Sequence, residues 1–219
     1  MWDQPPVSFA IAAALGYLLG SVPFGLVIVR AAGLGDIRAI GSGNIGATNV
    51  LRTGRKDLAA ATFLLDSGKA AAALLLARVL FHQDTGYGGV TAGYVAGAAA
   101  FLGHCFPVWL NFKGGKGVAT FFGVLFAGLP VVGAACAALW VLTAILFRYS
   151  SLGALVAAAA APAVAYVTNP GEWLAPVAFC TLLGVLIFVR HHANITRLLQ
   201  GAEPKIGAGK AAKTASVEE

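Results

Sequence analysis

Long apolar runs alternate with short polar ones along the chain, and most of the runs have the length of a membrane span. A helix crossing about 30 Å of hydrocarbon needs about 20 mostly apolar residues, fewer where neighbours or a thinned bilayer allow it. On that ruler the pattern predicts an all-α bundle of about seven transmembrane helices: Pro6 to Val29, Leu58 to Phe81, Gly88 to Phe106, Val118 to Leu129, Pro130 to Phe147, Leu152 to Thr168 and Leu174 to Val189. The fourth run is short. "GLPVVG" is read as a tight turn joining it to the fifth, with one long bent helix as the alternative, and "NPGEW" as the turn before the last run. The third run is rich in Gly and Ala, which suits close helix packing in lipid. The expectation is a single membrane-embedded domain over residues 1–206, followed by a polar, flexible tail over residues 207–219.

Composition narrows the class. Hydrophobic residues make up 58% of the 219 positions and charged residues only 11%, against about 25% in ordinary globular domains. The mean hydropathy is +0.80. A net charge of +6 raises the question of nucleic acid, but the basic residues form no continuous stripe and sit between apolar spans. Nucleic-acid binding is therefore not expected. Cys105, Cys136 and Cys180 lie in or beside apolar runs without metal-ligand or CxxC spacing, so they read as small buried hydrophobes. The first run has no basic stretch before it and is read as a retained span, not a cleaved signal.

The same basic residues orient the chain. With the N-terminus outside and seven spans, the inner side receives Arg30, Arg38, Arg52, Arg55, Lys56, Lys113, Lys116, Arg148, Arg190, Arg197, Lys205, Lys210 and Lys213, thirteen of the fifteen Lys and Arg. Lys69 and Arg78 belong to the second span, and the outer side carries Asp3, Asp84 and Glu172. That asymmetry is the positive-inside pattern, with a cytoplasmic C-terminus; five spans give the same C-terminal side. "IGSGNIGATNVLR", "NFKGGKGVAT", "RYSSLG" and "RHHANITRLLQGAEPK" then all fall on the cytoplasmic side, where they can converge on one site.

Each of these segments has a chemical reading and a plainer one. In "GSGNIGATN", Gly41, Gly43 and Gly46 permit positive φ and expose successive N–H groups, an arrangement that makes an anion nest. Ser42, Asn44, Thr48 and Asn49 add donors, and Thr48 or Asn49 can cap a following helix. The plainer reading is a Gly-rich connection. Lys113 and Lys116 around Gly114 and Gly115 suit a phosphate dianion or simply anchor the fourth span. His104 is either a structural hydrogen-bonder or a base. Asp66 and Lys69, three residues apart within the second span, pair on one face and serve either structure or substrate. Ser151 is a phosphate donor or a helix cap. His191, Asn194 and Arg197, at three-residue intervals, share a face if their segment is helical.

Taken together, "GSxPFG" at Gly20 to Gly25, "GSGNxGATNVLR", "DxxK", "GHxFPxWxxFKGGKGVAT", "RYSSLG" and "HxxNITRLLxGxExK" resemble the bacterial acyl-phosphate:glycerol-3-phosphate acyltransferases, the PlsY family. The resemblance runs from Gly20 to about Ile206. It implies a seven-helix bundle in the bacterial cytoplasmic (inner) membrane, with the active site facing the cytosol. It also implies transfer of an acyl group from acyl phosphate to the sn-1 hydroxyl of glycerol 3-phosphate, giving lysophosphatidic acid, the first step of phospholipid synthesis. Carried onto this chain, the acyl-phosphate hole falls on Ser42, Gly43, Asn44, Gly46, Ala47, Thr48 and Asn49. Glycerol 3-phosphate contacts fall on Arg52, Lys113, Gly114, Gly115, Lys116 and Arg197, and the catalytic group on Ser151, His191 and Asn194. Asp66, Lys69, His104 and Lys205 are secondary candidates. Ile45 stands where relatives often have Pro, and Ala70 where they have Gly.

The chemistry agrees with that resemblance. An acyl phosphate is a mixed anhydride with a good leaving group, so an alcohol can attack it directly, provided two anions are brought together and the developing charge is met by fixed donors. No covalent acyl-enzyme, cofactor, metal or protein partner is expected. The HxxxxD pair of soluble-type acyltransferases and the GxSxG elbow are both absent from the sequence. A transporter or channel for a phosphorylated metabolite is the alternative, but such carriers place ligands near the midplane between repeated halves, and no repeat is found. A CDP-alcohol phosphotransferase would need paired DxxDG and DxxxD carboxylates, which are also missing.

Overall fold

The computed structural model describes residues 6–82 and 89–207, and among them every regular element is a helix. The ten α-helices are α1 Pro6–Gly20, α2 Phe24–Ala31, α3 Ala47–Val50, α4 Lys56–Leu80, α5 Val90–Cys105, α6 Val118–Gly128, α7 Pro130–Phe147, α8 Ser150–Thr168, α9 Leu174–Arg190 and α10 His192–Leu199. Among the described residues, four stretches are long and apolar enough to cross a membrane: Val7–Ala31, Val90–Leu110, Pro130–Phe147 and Ser150–Thr168. The α9–α10 pair, bent by 62°, is a fifth. At 25 residues α4 has spanning length but carries Asp66 and Lys69 at its middle, and α6, at 11 residues, is only about 16 Å long. The chain is a multi-pass, all-α membrane protein. The start of the expected third run at Gly88, and the tail from residue 208, lie outside the described residues.

The first expected run is two helices, α1 and α2. Its break falls at Ser21–Pro23, because Pro23 has no N–H to continue α1 and pushes Val22 out of helical backbone. Between α6 and α7 only Leu129 intervenes, at φ −142°. A Cβ on Gly133 would sit 3.0 Å from the Phe126 nitrogen, so α7 folds back sharply on α6, as the tight-turn reading of "GLPVVG" expected.

Small residues let the helices approach. Side chains added at Gly16, Gly20 or Gly103 would collide with backbone at Ala96, Ala100 and Tyr17, which is how α1 and α5 lie against each other. Gly123 meets the Ser67 backbone in the same way between α6 and α4. In lipid, where apolar burial drives association little, such backbone-close packing carries much of the attraction. The main core joins Leu74, Phe101, Phe121, Leu125, Leu183 and Ile187 from α4, α5, α6 and α9. A second, smaller cluster of Leu26, Val29, Ile37, Ile45 and Val50 seats the segment between α2 and α4. These helices bring the start of α6, the α7–α8 corner and the α9–α10 bend to one end of the bundle.

Candidate active site

The segment from Asp36 to Gly54 is a folded unit built around Asn49. That side chain is 2% exposed. Its Nδ2 donates to the carbonyls of Ile37 (3.0 Å), Ile40 (2.9 Å) and Asn44 (2.8 Å). Its Oδ1 accepts from the Ser42 amide (3.1 Å), the Ser42 hydroxyl (3.4 Å) and Arg52 (3.2 Å). Both ends of the amide are engaged within the loop, so Asn49 is a strut beneath it. Gly41 and Gly43 take positive φ (58° and 69°), whereas Gly46 is extended at φ −82°, contrary to expectation, and precedes α3. Ala47 and Thr48 begin the first turn of α3, where N–H groups have no preceding helical acceptor. Asn44 Oδ1 is buried and meets no donor among the described residues.

The loop before α6 is packed tightly. The amides of Gly114 and Gly115 donate to the carbonyls of Cys105 (3.1 Å) and His104 (3.0 Å), and a Cβ on either glycine would overlap His104 or its backbone. The glycines are there because nothing larger fits, and their N–H groups are already engaged. Arg190 grips the same loop from α9, donating to the carbonyls of Gly115 (3.0 Å) and Gly114 (3.1 Å) while stacking 5.0 Å over the Phe106 ring. Lys113 is exposed. Lys116 turns inward and donates to Asn194 Oδ1 at 2.6 Å.

Glu203 gathers the remaining candidates. Its Oε1 accepts from Ser151 (2.6 Å) and from Asn194 Nδ2 (2.6 Å), and its Oε2 accepts from Arg197 (2.7 Å). Burial pushes its carboxyl up, but these three hydrogen bonds outweigh burial and hold it below the usual range. Thr48 Oγ1 lies 3.5 Å from Ser150 Oγ, which brings the first loop to the α7–α8 corner. The four polar segments therefore do converge at one end of the molecule. Lys205 is set apart, exposed with its ammonium 5.8 Å over the Tyr149 ring, and Ile206 pairs with the Arg148 carbonyl at 2.7 Å to hold the C-terminal segment there.

The expected helix after the last span is present, but His191 stands at its junction with α9 instead of on its face. His191 is 2% exposed, and its Nδ1 lies 2.8 Å from the Ile187 carbonyl, so Nδ1 carries the proton and Nε2 the lone pair. Burial lowers its pKa to about 4 and keeps the ring neutral. Burial also lowers Lys116, to about 8; Glu203 opposes, while Arg197, Arg52 and Arg190 repel the ammonium. Lys116 thus has three arginines and a single carboxylate as its charged neighbours. Elsewhere Arg30 and Arg38 pair with Asp36, and Arg55 with Asp57. What this end of the molecule offers is an electropositive basin lined by hydrogen-bond donors, which suits anionic ligands. Among the described residues no group of three His, Cys, Asp or Glu could hold a metal. A cleft lined by Leu129, Val131, Thr168 and Asn169 sits at the far ends of α6, α7 and α8 and carries no charge.

Asp66, Lys69 and His104 are brought together inside the bundle, not in the basin. Glu203 and Arg190 were missed as site residues by sequence reasoning. Glu203 had a signal in the "GxExK" ending of the last motif; Arg190 looked like one more basic end of a span.

Comparison with known proteins agrees with this geometry. Residues 10–201 match the family model described as glycerol-3-phosphate acyltransferase. The glycerol-3-phosphate acyltransferase of Rhodospirillum rubrum is 58% identical over 95% of this chain and 96% of its own. That of Maricaulis maris is 58% identical over 95% and 92%. Among solved structures, PlsY (YgiH), an integral membrane glycerol 3-phosphate acyltransferase in its glycerol 3-phosphate form, is 37% identical with a TM-score of 0.83, over 94% of this chain and 98% of that one. Its lysophosphatidic acid form gives a TM-score of 0.81 over 91% and 96% at the same identity. The chain belongs to the glycerol-3-phosphate acyltransferase family.

Proposed function

We propose that this acyltransferase takes its acyl group from an acyl phosphate and delivers it to the sn-1 hydroxyl of glycerol 3-phosphate in one direct step, releasing lysophosphatidic acid and inorganic phosphate. The observation that carries the reading is the charge imbalance at Lys116, which faces Arg52, Arg190 and Arg197 with only Glu203 to oppose them. Such a basin is balanced by two phosphates, not by one neutral substrate. The donor's phosphate is assigned to the first loop, against Ser42, Gly43, the Asn44 amide and the first turn of α3 at Ala47 and Thr48. Glycerol 3-phosphate is assigned to Arg52, Lys113, Lys116 and Arg197, with Gly114 and Gly115 shaping the loop. Support for glycerol 3-phosphate comes also from the solved relative in that form.

The hydroxyl attacks the acyl carbon, the C–O bond to phosphate breaks, and the proton leaves with a phosphate oxygen or to His191 Nε2. A ring whose pKa is near 4 is a weak base, which favours the phosphate oxygen as acceptor and leaves His191 and Asn194 to orient the substrates. The Ser151 hydroxyl, aligned by Glu203, points a polar group at the same place. Developing charge on the carbonyl and the leaving phosphate falls on Lys116 and the loop donors. The acyl chain lies in a groove among the Gly/Ala-rich helices, entered from lipid. Residues 1–206 act as one unit of seven spans in the bacterial inner membrane, with this basin facing the cytoplasm and no cofactor or protein partner required.

The test is an assay of purified protein with acyl phosphate and labelled glycerol 3-phosphate, run beside acyl-CoA and acyl-carrier-protein donors. Lysophosphatidic acid from acyl phosphate alone is the expected result. Product only from a thioester donor would overturn the donor assignment while leaving the acceptor standing.

A further inference from the structure

Lys69 makes two hydrogen bonds and one ion pair, each to a different structural unit. It donates to the Val22 carbonyl at the break between α1 and α2 (2.5 Å), pairs with Asp66 on its own helix (2.7 Å) and meets His104 Nδ1 on α5 (3.1 Å). Lysine has no acceptor, so His104 Nδ1 accepts and its proton sits on Nε2. All three side chains are buried, at 7%, 1% and 4% exposure. The Val22 carbonyl lies at the break where Pro23 ends α1, and it also accepts the Phe24 amide (3.1 Å), so Lys69 is its second donor.

From this point two short paths lead to the two anion loops. On one side Lys69 lies 5.7 Å from the Phe24 ring, and the next residue, Gly25, lies so close to the Ile45 carbonyl that a Cβ would overlap it. Ile45 is the 2%-exposed anchor between Asn44 and Gly46. On the other side the His104 ring abuts Gly115, and the His104 carbonyl accepts the Gly115 amide. The first loop and the Lys113–Lys116 loop thus both rest on one buried node.

We infer that Lys69, with Asp66 and His104, is a positioning device that sets the spacing between the donor-phosphate loop and the acceptor loop. The inference rests on the proposed reading that these loops hold the two substrates. It touches neither substrate, and it acts by fixing the α1–α2 break and the Gly115 turn to one point. Loss of the node lets the loops drift apart, and a misplacement of about 1 Å costs about a hundredfold in rate.

The double variant Asp66→Leu/Lys69→Met replaces the pair with apolar groups of similar volume, a change that is often neutral for folding. His104→Leu removes one acceptor, and His104→Gln returns one through its amide oxygen. Expected are an unchanged thermal midpoint in detergent, KM for both substrates raised about tenfold or more with kcat also lowered in the double variant and His104→Leu, and recovery of most of the loss in His104→Gln. Wild-type kinetic constants in the folded double variant or in His104→Leu would overturn the inference. Loss of folded protein in both would do so too, making the node a folding element only. Arg52→Ala and Lys116→Ala, run alongside, separate the two levels: wild-type KM values in those would sink the placement of the substrates, whereas their loss beside intact node variants would sink the positioning role alone.

Discussion

Lys69 and Lys116 are both lysines withdrawn from water, yet their surroundings are built on opposite rules. Lys69 donates to a carbonyl and meets an imidazole nitrogen, with one carboxylate paired beside it. Lys116 has one amide oxygen at 2.6 Å and three arginines near enough to repel it. A balanced buried charge holds elements together; an unbalanced one is a standing demand for an anion. The bundle places Asp66 inside and leaves the basin around Lys116 short of counter-charge. Glu203 does not repair that shortage, because its oxygens are taken by Ser151, Asn194 and Arg197.

The sharpest break of this contrast is Lys116→Ala. Removing a donor aimed at developing charge costs about 10²–10³ in turnover at such sites. We expect a loss of that order in kcat/KM for acyl transfer, with the thermal midpoint nearly unchanged, since Asn194 keeps its bond to Glu203. A variant with wild-type kcat/KM would remove Lys116 from the basin's function. Next in size is Glu203→Gln, which keeps the shape and weakens three hydrogen bonds, each to a charged acceptor worth about 1.5–3 kcal/mol. It should lower both the thermal midpoint and kcat, because Ser151 and Asn194 lose their common anchor. A fall in kcat without any fall in stability would mean that Glu203 acts on substrate directly.

A third test uses pH. With Lys116 held near 8, kcat/KM, which reports the free enzyme, should fall as pH rises through about 8 and drop about tenfold at one unit above. The sign follows from the ammonium being the binding form: raising pH removes its charge and with it the attraction for phosphate. Lys116→Arg, which stays protonated, should lose this limb. If the limb persists in the arginine variant, the titrating group is another one.

How far all this could be read without coordinates depended on what kind of force was involved. Lipid demands long apolar helices, so α4, α7, α8 and α9 appear in the sequence within two residues of their ends. The break at Ser21–Pro23 hid because apolar residues continue around it, and part of what holds it is Lys69, forty-seven residues away. The convergence of Thr48, Lys116, Ser151 and Asn194 was foreseeable from charge asymmetry, since all lie on one side. Their division of labour was not. Asn49 and Asn44 look alike in the sequence, yet one has every amide atom bonded inside the loop and the other has its oxygen unmet. Gly114 and Gly115 read as part of a phosphate-binding loop, and nothing in the sequence showed that His104 leaves no room there for a Cβ.

The smallest expected effect concerns His191, whose ring sits between the two regimes: buried like Lys69, bordering the basin like Lys116. Its Nδ1–H is committed to the Ile187 carbonyl, and burial holds its pKa near 4. Protonating it would put another cation beside Lys116 and Arg190 in a poorly solvated place. Its ring resonances, followed by NMR on histidine-labelled protein and assigned by loss in His191→Gln, should therefore not move between pH 5.5 and 7.5, about where an ordinary histidine titrates. If the His191 signal titrates near 6.5, the ring can serve as general base at neutral pH, and the proton would pass to it instead of to a phosphate oxygen. A static signal leaves the hydroxyl proton to the substrates themselves, and makes the basin a device for holding two anions in line.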